Sequence, residues 1–331
     1  MSKNYQDDFN HIVVPEEQVD MVIQKAVNKG KRRLIIKKRI MVSMSVALLC
    51  VCILGSGFVS TSVARVLVNI PFVGSVFERE KFVWSGLENV DGEDITKLDD
   101  LQITDHGVTV AIREAYYDQS GFTVGYVVSG AELSDETVFH ANFYYNGQGI
   151  SGGGGASYEK ISDKLYVGLT QFHPGPEFSF PDSIDLEVIL ADDMEKINKS
   201  PYRFKIPLLR SNADAKTKEL PVMKAADNGE RTLLLKKIVF TPVSTVVDYE
   251  YTHPLEDRKE DGGDNYDVKL INGNGIELNP GSFSRHGSMN EEKLVDACRV
   301  NFPAINEPAG NMAFELLLPE NQSIRVDFEI K

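Results

Sequence analysis

Gly107-Val-Thr-Val-Ala-Ile-Arg-Glu-Ala-Tyr-Tyr117 and Gly121-Phe-Thr-Val-Gly-Tyr-Val-Val-Ser129 flank Asp118-Gln-Ser120 and read as two neighbouring strands. Both runs are rich in β-branched and aromatic residues, and both are bounded by turn residues. Further runs of this kind lie at about 101–104, 137–146, 164–172, 183–191 and 202–208. A second series lies at about 231–241, 244–253, 266–272, 275–279, 294–302, 312–318 and 323–330. Short strands at this spacing predict a mainly β fold built as two tandem immunoglobulin-like β-sandwiches.

The two series are alike. Asn146-Gly-Gln-Gly-Ile150 matches Asn272-Gly-Asn-Gly-Ile276, 126 residues later. Glu114-Ala-Tyr-Tyr117 and Thr123-Val-Gly-Tyr126 match Lys237-Ile-Val-Phe240 and Val246-Val-Asp-Tyr249, 123 residues later. Ser183-Ile-Asp-Leu-Glu-Val-Ile189 parallels Ser323-Ile-Arg-Val-Asp-Phe-Glu329, 140 residues later. The preserved order predicts duplication of a β-domain of roughly 120 residues. The expected domains are a first sandwich within 65–210, a polar linker over 211–220 and a second sandwich within 221–331.

Upstream, residues 40–64 contain no Asp, Glu, Lys or Arg. As a helix these 25 residues would reach roughly 37 Å, against about 30 Å of hydrocarbon, and so predict a transmembrane helix. Lys29, Lys31, Arg32, Arg33, Lys37, Lys38 and Arg39 precede it, and only Arg65 follows closely. The positive-inside rule places residues 1–39 in the cytoplasm and the bulk of the chain outside a single-pass anchor. The rival is a cleaved signal peptide ending at Ser62-Val63-Ala64, but its basic and apolar regions would both be long.

Charge is divided in the same way. Residues 1–39 carry nine Lys/Arg and five Asp/Glu, whereas residues 65–331 carry 26 and 44. The large acidic part repels phosphate backbones, so nucleic acid is not an expected partner.

In the tail, Pro15, Glu16 and Glu17 mark a helix start, and Gly30 marks a stop. Val19, Val22, Ile23, Ala26 and Val27 form one apolar face of an amphipathic helix. A lone helix of this length is marginal in water, so the face wants a partner. Three readings stand open: it docks on another protein, it lies on the lipid bilayer beside the basic run, or it frays.

Chemistry-bearing patterns are sparse, and neither an enzyme nor a cofactor is expected. Ser151-Gly-Gly-Gly-Gly-Ala156 is followed by no Lys-Ser/Thr and reads as a flexible hairpin loop rather than a phosphate cradle. Glu256 to Asp267 is acid-rich but departs from the calcium-loop template at Lys259 and Val268, and reads as a solvated loop. The six histidines lie at no metal-ligand spacing. Cys50 and Cys52 fall in the apolar segment, leaving Cys298 as a small buried hydrophobe.

Val14-Pro-Glu-Glu17, Lys29-Gly-Lys-Arg-Arg33, the apolar segment, Ile70-Pro-Phe-Val-Gly-Ser-Val-Phe77 and the Gly107–Gly130 strand pair together resemble a bacterial membrane-protein family, DUF4179. The resemblance covers about 14–130, and the second sandwich is similar to a companion domain often found behind it. Members are commonly encoded beside extracytoplasmic-function sigma factors. The resemblance therefore implies an anti-sigma-factor-like membrane regulator whose tail binds a sigma factor. This tail departs from many membrane anti-sigma factors, having one predicted helix and no cysteine. Placing Val19, Val22, Ile23, Ala26 and Val27 at that contact follows from helical spacing. The alternative is a structural or adhesion-type envelope protein whose sandwiches bind wall polymer or another protein.

Overall fold

The computed structural model describes residues 75–79, 86–130, 139–257, 266–290 and 293–330. The predicted tail helix and the predicted span at 40–64 lie outside them. Among the described residues no helix is long and apolar enough to cross a membrane.

The described part is mainly β. The first series forms β1 (Thr96–Lys97), β2 (Gln102–Asp105), β3 (Val108–Asp118), β4 (Gly121–Ser129), β5 (His140–Tyr145), β6 (Gln148–Gly149), β7 (Gly152–Ser162), β8 (Leu165–Pro174), β9 (Ser183–Ala191) and β10 (Arg203–Leu209). The second forms β11 (Lys218–Asp227), β12 (Thr232–Phe240), β13 (Ser244–Pro254), β14 (Asp267–Ile271), β15 (Glu277–Leu278), β16 (Ser282–Asn290), β17 (Lys293–Pro303), β18 (Gly310–Leu318) and β19 (Gln322–Ile330).

Each series makes two antiparallel sheets. The first gives β1-β3-β4-β8-β7, with β2 also on β3, and β10-β9-β5-β6. The second gives β11-β12-β13-β17-β16 and β15-β14-β18-β19. With β1 and β2 together matched to β11, each later strand of the first series has its counterpart in the second, in the same place and order.

Each sheet pair encloses one apolar core. Val110, Ile112, Ala115 and Tyr117 of β3 enter the first, and Leu233, Leu235, Ile238 and Phe240 of β12 enter the second. In both strands the two-residue alternation slips once to a step of three. The cause is a bulge, between Ile112 and Glu114 in one ladder and between Leu235 and Lys237 in the other. Burying each Val, Leu, Ile or Phe of such a core contributes about 1.5–3 kcal/mol. Asn146–Ile150 and Asn272–Ile276 occupy the same hairpin position but turn differently. Asn146 and Gly147 both take positive φ in a two-residue turn, whereas Asn272 opens a wider loop by accepting from the Asn274 and Ile276 amides.

Four expectations need correction. The glycine run is no loop, because Gly152–Ser162 is an edge strand paired with β8. Glycine is needed there for close approach: a Cβ on Gly154 would lie 2.2 Å from the Gln171 carbonyl oxygen. The stretch 211–220 is no open linker. It holds a helical turn at Ser211–Asp214, capped by Thr217 Oγ1 donating to the Ala213 carbonyl, and then the start of β11. Ser183–Ile189 and Ser323–Glu329 are not equivalents. They lie in β9 and β19, while the topological match of β9 is β18. Alternating apolar residues look the same in any half-buried strand, so the two segments resemble each other without being equivalent. Finally, the helix inventory differs. The described residues contain only short helical turns, at Val76–Arg79, Leu87–Asn89, Met194–Lys199, Ser211–Asp214, Leu255–Asp257 and Pro319–Asn321.

Candidate functional site

Val19, Val22, Ile23, Ala26 and Val27 lie outside the described residues. What the structure does hold is the end of the connection leading from the predicted span into the first sandwich.

That connection ends in α1 (Val76–Arg79), which packs on β3, β4 and β8. Val76 is fully buried and Phe77 nearly so. Two residues of the sheet make the seat. Glu114, set just after the β3 bulge, is buried with its carboxylate turned to α1. It accepts from Ser75 Oγ at 3.0 Å and from the Phe77 amide at 3.0 Å. A carboxylate satisfying the free N–H of a helical first turn is a favourable pairing, here supplied from another element. Gly125 is the ladder neighbour of Glu114. A Cβ there would come within 2.9 Å of Val76 Cγ1 and 3.0 Å of Phe77 Cε1, so only glycine admits the helix.

The second feature is the polar seam between the sandwiches. Arg299 of β17 grips Asp248 with two hydrogen bonds, Nε to Oδ1 at 2.7 Å and Nη2 to Oδ2 at 2.9 Å. Its Nη1 donates to the Gly175 carbonyl of the first sandwich at 3.0 Å, and its guanidinium lies 5.1 Å from the Phe180 ring. Buried charge needs this full partnering. Nearby, the His173 ring meets the Ser120 carbonyl through Nδ1 at 2.9 Å, and burial pushes its pKa down to about 4. Asp118 beside it is fully buried, and burial drives its carboxyl upward against hydrogen bonds from Ser120, Thr241 and Tyr116. Asp118 and Thr241 hold matching turns of the two copies, so the seam brings equivalent positions together.

Sequence reasoning passed over Glu114, Gly125 and Arg299. An acid and a glycine inside apolar strands were the available signal, since each breaks the pattern of a sheet interior.

His253 Nε2 lies 3.1 Å from Asp296 Oδ2, and Cys298 is near Asp296 in the same core. Burial pushes the Cys298 thiol up to about 12, so it offers no thiolate at neutral pH. Asp257, in the described part of the acidic stretch, is gripped by Arg231 through two hydrogen bonds. Among the described residues no cluster of His, Cys, Asp and Glu could hold a metal ion.

The strands that build the seat, the helix that fills it and the apolar stretch upstream fall in one segment. Residues 36–130 match the family model described as "Domain of unknown function (DUF4179)". The chain carries a DUF4179 domain. No curated protein matches the chain. A crystal structure of a conserved domain protein from Bacillus anthracis is similar, with 15% identity and a TM-score of 0.53, over 79% of this chain and 99% of that one. That likeness concerns the fold alone. Bovine butyrophilin also aligns, at 12% identity and a TM-score of 0.21, over 65% of this chain and 92% of that one. The DUF4179 segment ends at Gly130, after β4, so it holds the seat on β3 and β4 but not the second copy.

Proposed function

We propose that the chain is a membrane-anchored, non-enzymatic regulator of the anti-sigma-factor type. Residues 1–39 lie in the cytoplasm, residues 40–64 cross the bilayer, and two immunoglobulin-like sandwiches stand outside as the sensing or scaffolding part. The apolar face of Val19, Val22, Ile23, Ala26 and Val27 binds an extracytoplasmic-function sigma factor. The observation that carries this reading is the seat of α1 on Glu114 and Gly125. It fastens the first sandwich to the chain at Ser75 and Phe77, a dozen residues beyond the predicted span, so a change in the sandwiches has a short stretch of sequence to act through.

The test is transcription from the promoters of a sigma factor encoded beside this gene. Val22→Asp with Ile23→Asp should raise it by removing the tail contact, because burying unpaired charge is costly. Gly125→Leu should change it without touching the tail. If both variants, present at wild-type levels in the membrane, leave transcription unchanged, the reading is wrong and the envelope-scaffold alternative gains.

A further inference from the structure

Four Asn-Gly steps occur in the chain, beginning at Asn146, Asn228, Asn272 and Asn274. Such a step can modify itself, because glycine leaves its own amide nitrogen unshielded by a side chain. That nitrogen attacks the Cγ of the preceding asparagine. A C–N bond forms, the side-chain amide nitrogen leaves as ammonia with the proton of the attacking amide, and a cyclic succinimide results. Water then opens the ring at either carbonyl. One opening gives aspartate; the other gives isoaspartate, whose main chain runs through the former side chain. The attack needs a free nitrogen and a free side chain, and the four steps differ in both.

Three of them are held. Asn228 Oδ1 accepts from the Arg231 amide at 3.1 Å, and the Gly229 amide donates to Asp227 Oδ1 at 3.3 Å. Asn272 Oδ1 accepts from the Asn274 and Ile276 amides, both at 3.0 Å. Gly273 beside it is so closely packed that a Cβ would lie 1.9 Å from the Ala309 carbonyl oxygen. After Asn274, the Gly275 amide donates to the Asn272 carbonyl at 2.9 Å.

Asn146 is different. Among the described residues, neither its side chain nor the Gly147 amide makes a hydrogen bond, and both residues are exposed. Nothing lies within 4 Å of where a Gly147 Cβ would stand. The hairpin is closed by only two ladder pairs, Tyr144 with Gly149 and Tyr145 with Gln148, and β6 is the edge of its sheet. Local opening there is cheap, and it lets Asn146 rotate out of its left-handed backbone to meet the nitrogen.

We propose that Asn146 is a self-modification site, converted to isoaspartate and aspartate by the Gly147 amide as the protein ages, while hydrogen bonds protect the other three. Aspartate suits the turn, because it too tolerates the left-handed backbone. Isoaspartate adds a methylene to the main chain of a two-residue turn that has no slack. The misfit falls on Ile150, whose amide donates to the Phe143 carbonyl at 2.9 Å and whose side chain packs on the first core. The modification is thus an ageing mark that loosens β6 from the first sandwich.

The test incubates the full-length chain in lipid nanodiscs in heavy-oxygen water, then reads label uptake at each asparagine by peptide mass spectrometry. Asn146 should react about fivefold faster than the others or more, since breaking one hydrogen bond first slows a reaction about two- to tenfold. Unfolded in urea, the four should react at similar rates. Asp227→Ala frees the Gly229 amide and should speed the reaction at Asn228 several-fold. Equal rates in the folded chain, a ranking that survives urea, or an unmoved Asn228 in Asp227→Ala would each overturn the proposal. Hydrogen exchange of the Ile150 amide should rise in the aged chain but not in Asn146→Asp; unchanged exchange on ageing would overturn the consequence for β6. These readouts involve no sigma factor, so their failure leaves the regulator reading standing.

Discussion

Across the sheet of the first copy, Glu114, Gly125 and Leu169 are ladder neighbours on β3, β4 and β8. At the matching place in the second copy, Lys237, Asp248 and Arg299 are ladder neighbours on β12, β13 and β17. The first trio carries a single charge, on Glu114, and has a gap at its centre, and α1 fills that gap. The second trio is charged, and Arg299 reaches out to the Gly175 carbonyl of the other sandwich. The same patch of sheet has two uses. In one sandwich it holds the helical turn Val76–Arg79, and in the other it reaches the neighbouring sandwich. A backbone scaffold fixes where a site stands, and three side chains decide what occupies it.

The largest effect should come from the charged trio. Arg299→Met leaves buried Asp248 with only the loosely placed Lys237 ammonium, 4.0 Å away, and should cost about 3–5 kcal/mol in urea unfolding. Removing the charge from both members at once should cost much less. If Arg299→Met is nearly neutral, the seam is not a bearing contact and the comparison loses one side.

Next comes a group that only the first copy has. His173 of β8 is matched by Pro303 of β17, which cannot titrate. Burial lowers the His173 pKa to about 4, below its ordinary 6.5, because the neutral ring is preferred. Its stability contribution is therefore complete above pH 6.5 and is lost as the pH falls through about 4. The loss should approach roughly 3 kcal/mol. Asp118, raised by burial, acts in the opposite direction, so the readout is the difference between wild type and His173→Gln. That variant should flatten the dependence between pH 6.5 and 4. An unchanged profile would show that the histidine is solvated.

A smaller effect is expected in the first trio. Glu114→Gln keeps the shape but weakens the charge-assisted bonds to Ser75 and Phe77, at about 1.5–3 kcal/mol. Lys237→Gln, its counterpart, is half-exposed and paired loosely with Glu219 and Asp248, and should move stability little.

The smallest effect concerns the tyrosines that both copies keep, Tyr126 and Tyr249. Each faces a small residue, Gly168 in one ladder and Cys298 in the other. A Cβ on Gly168 would lie 2.3 Å from the Tyr126 ring, so Gly168→Ala should cost about 1–3 kcal/mol. Cys298→Ala only trims a buried atom, at about 1 kcal/mol. Reversal of that ranking, measured by thermal melts, would undo the equivalence of the two positions.

Much of this was legible in the residues. The central strands were, because β3, β4, β12 and β13 concentrate β-branched and aromatic residues between turn signals. The offset of 123 residues already aligned Glu114 with Lys237 and Gly125 with Asp248. What escaped were the edges. The strand β7 faces solvent along most of its length, β16 is polar, and β11 carries Pro221 and a register shift. Such strands have no core face to impose alternation, and their pairing comes from a neighbour's backbone. The seat was hidden for another reason. Its meaning depends on a segment 37 residues away folding back onto Glu114, which local pattern does not encode.

The Phe77 amide is the most direct probe of that seat. It donates to Glu114 at 3.0 Å, in a residue 8% exposed. In native-state hydrogen exchange on the full-length protein, it should be protected as well as the amides of β4, and Gly125→Val should abolish that protection while β13 keeps its own. Exchange of the wild-type Phe77 amide at the rate of an open chain would contradict the account.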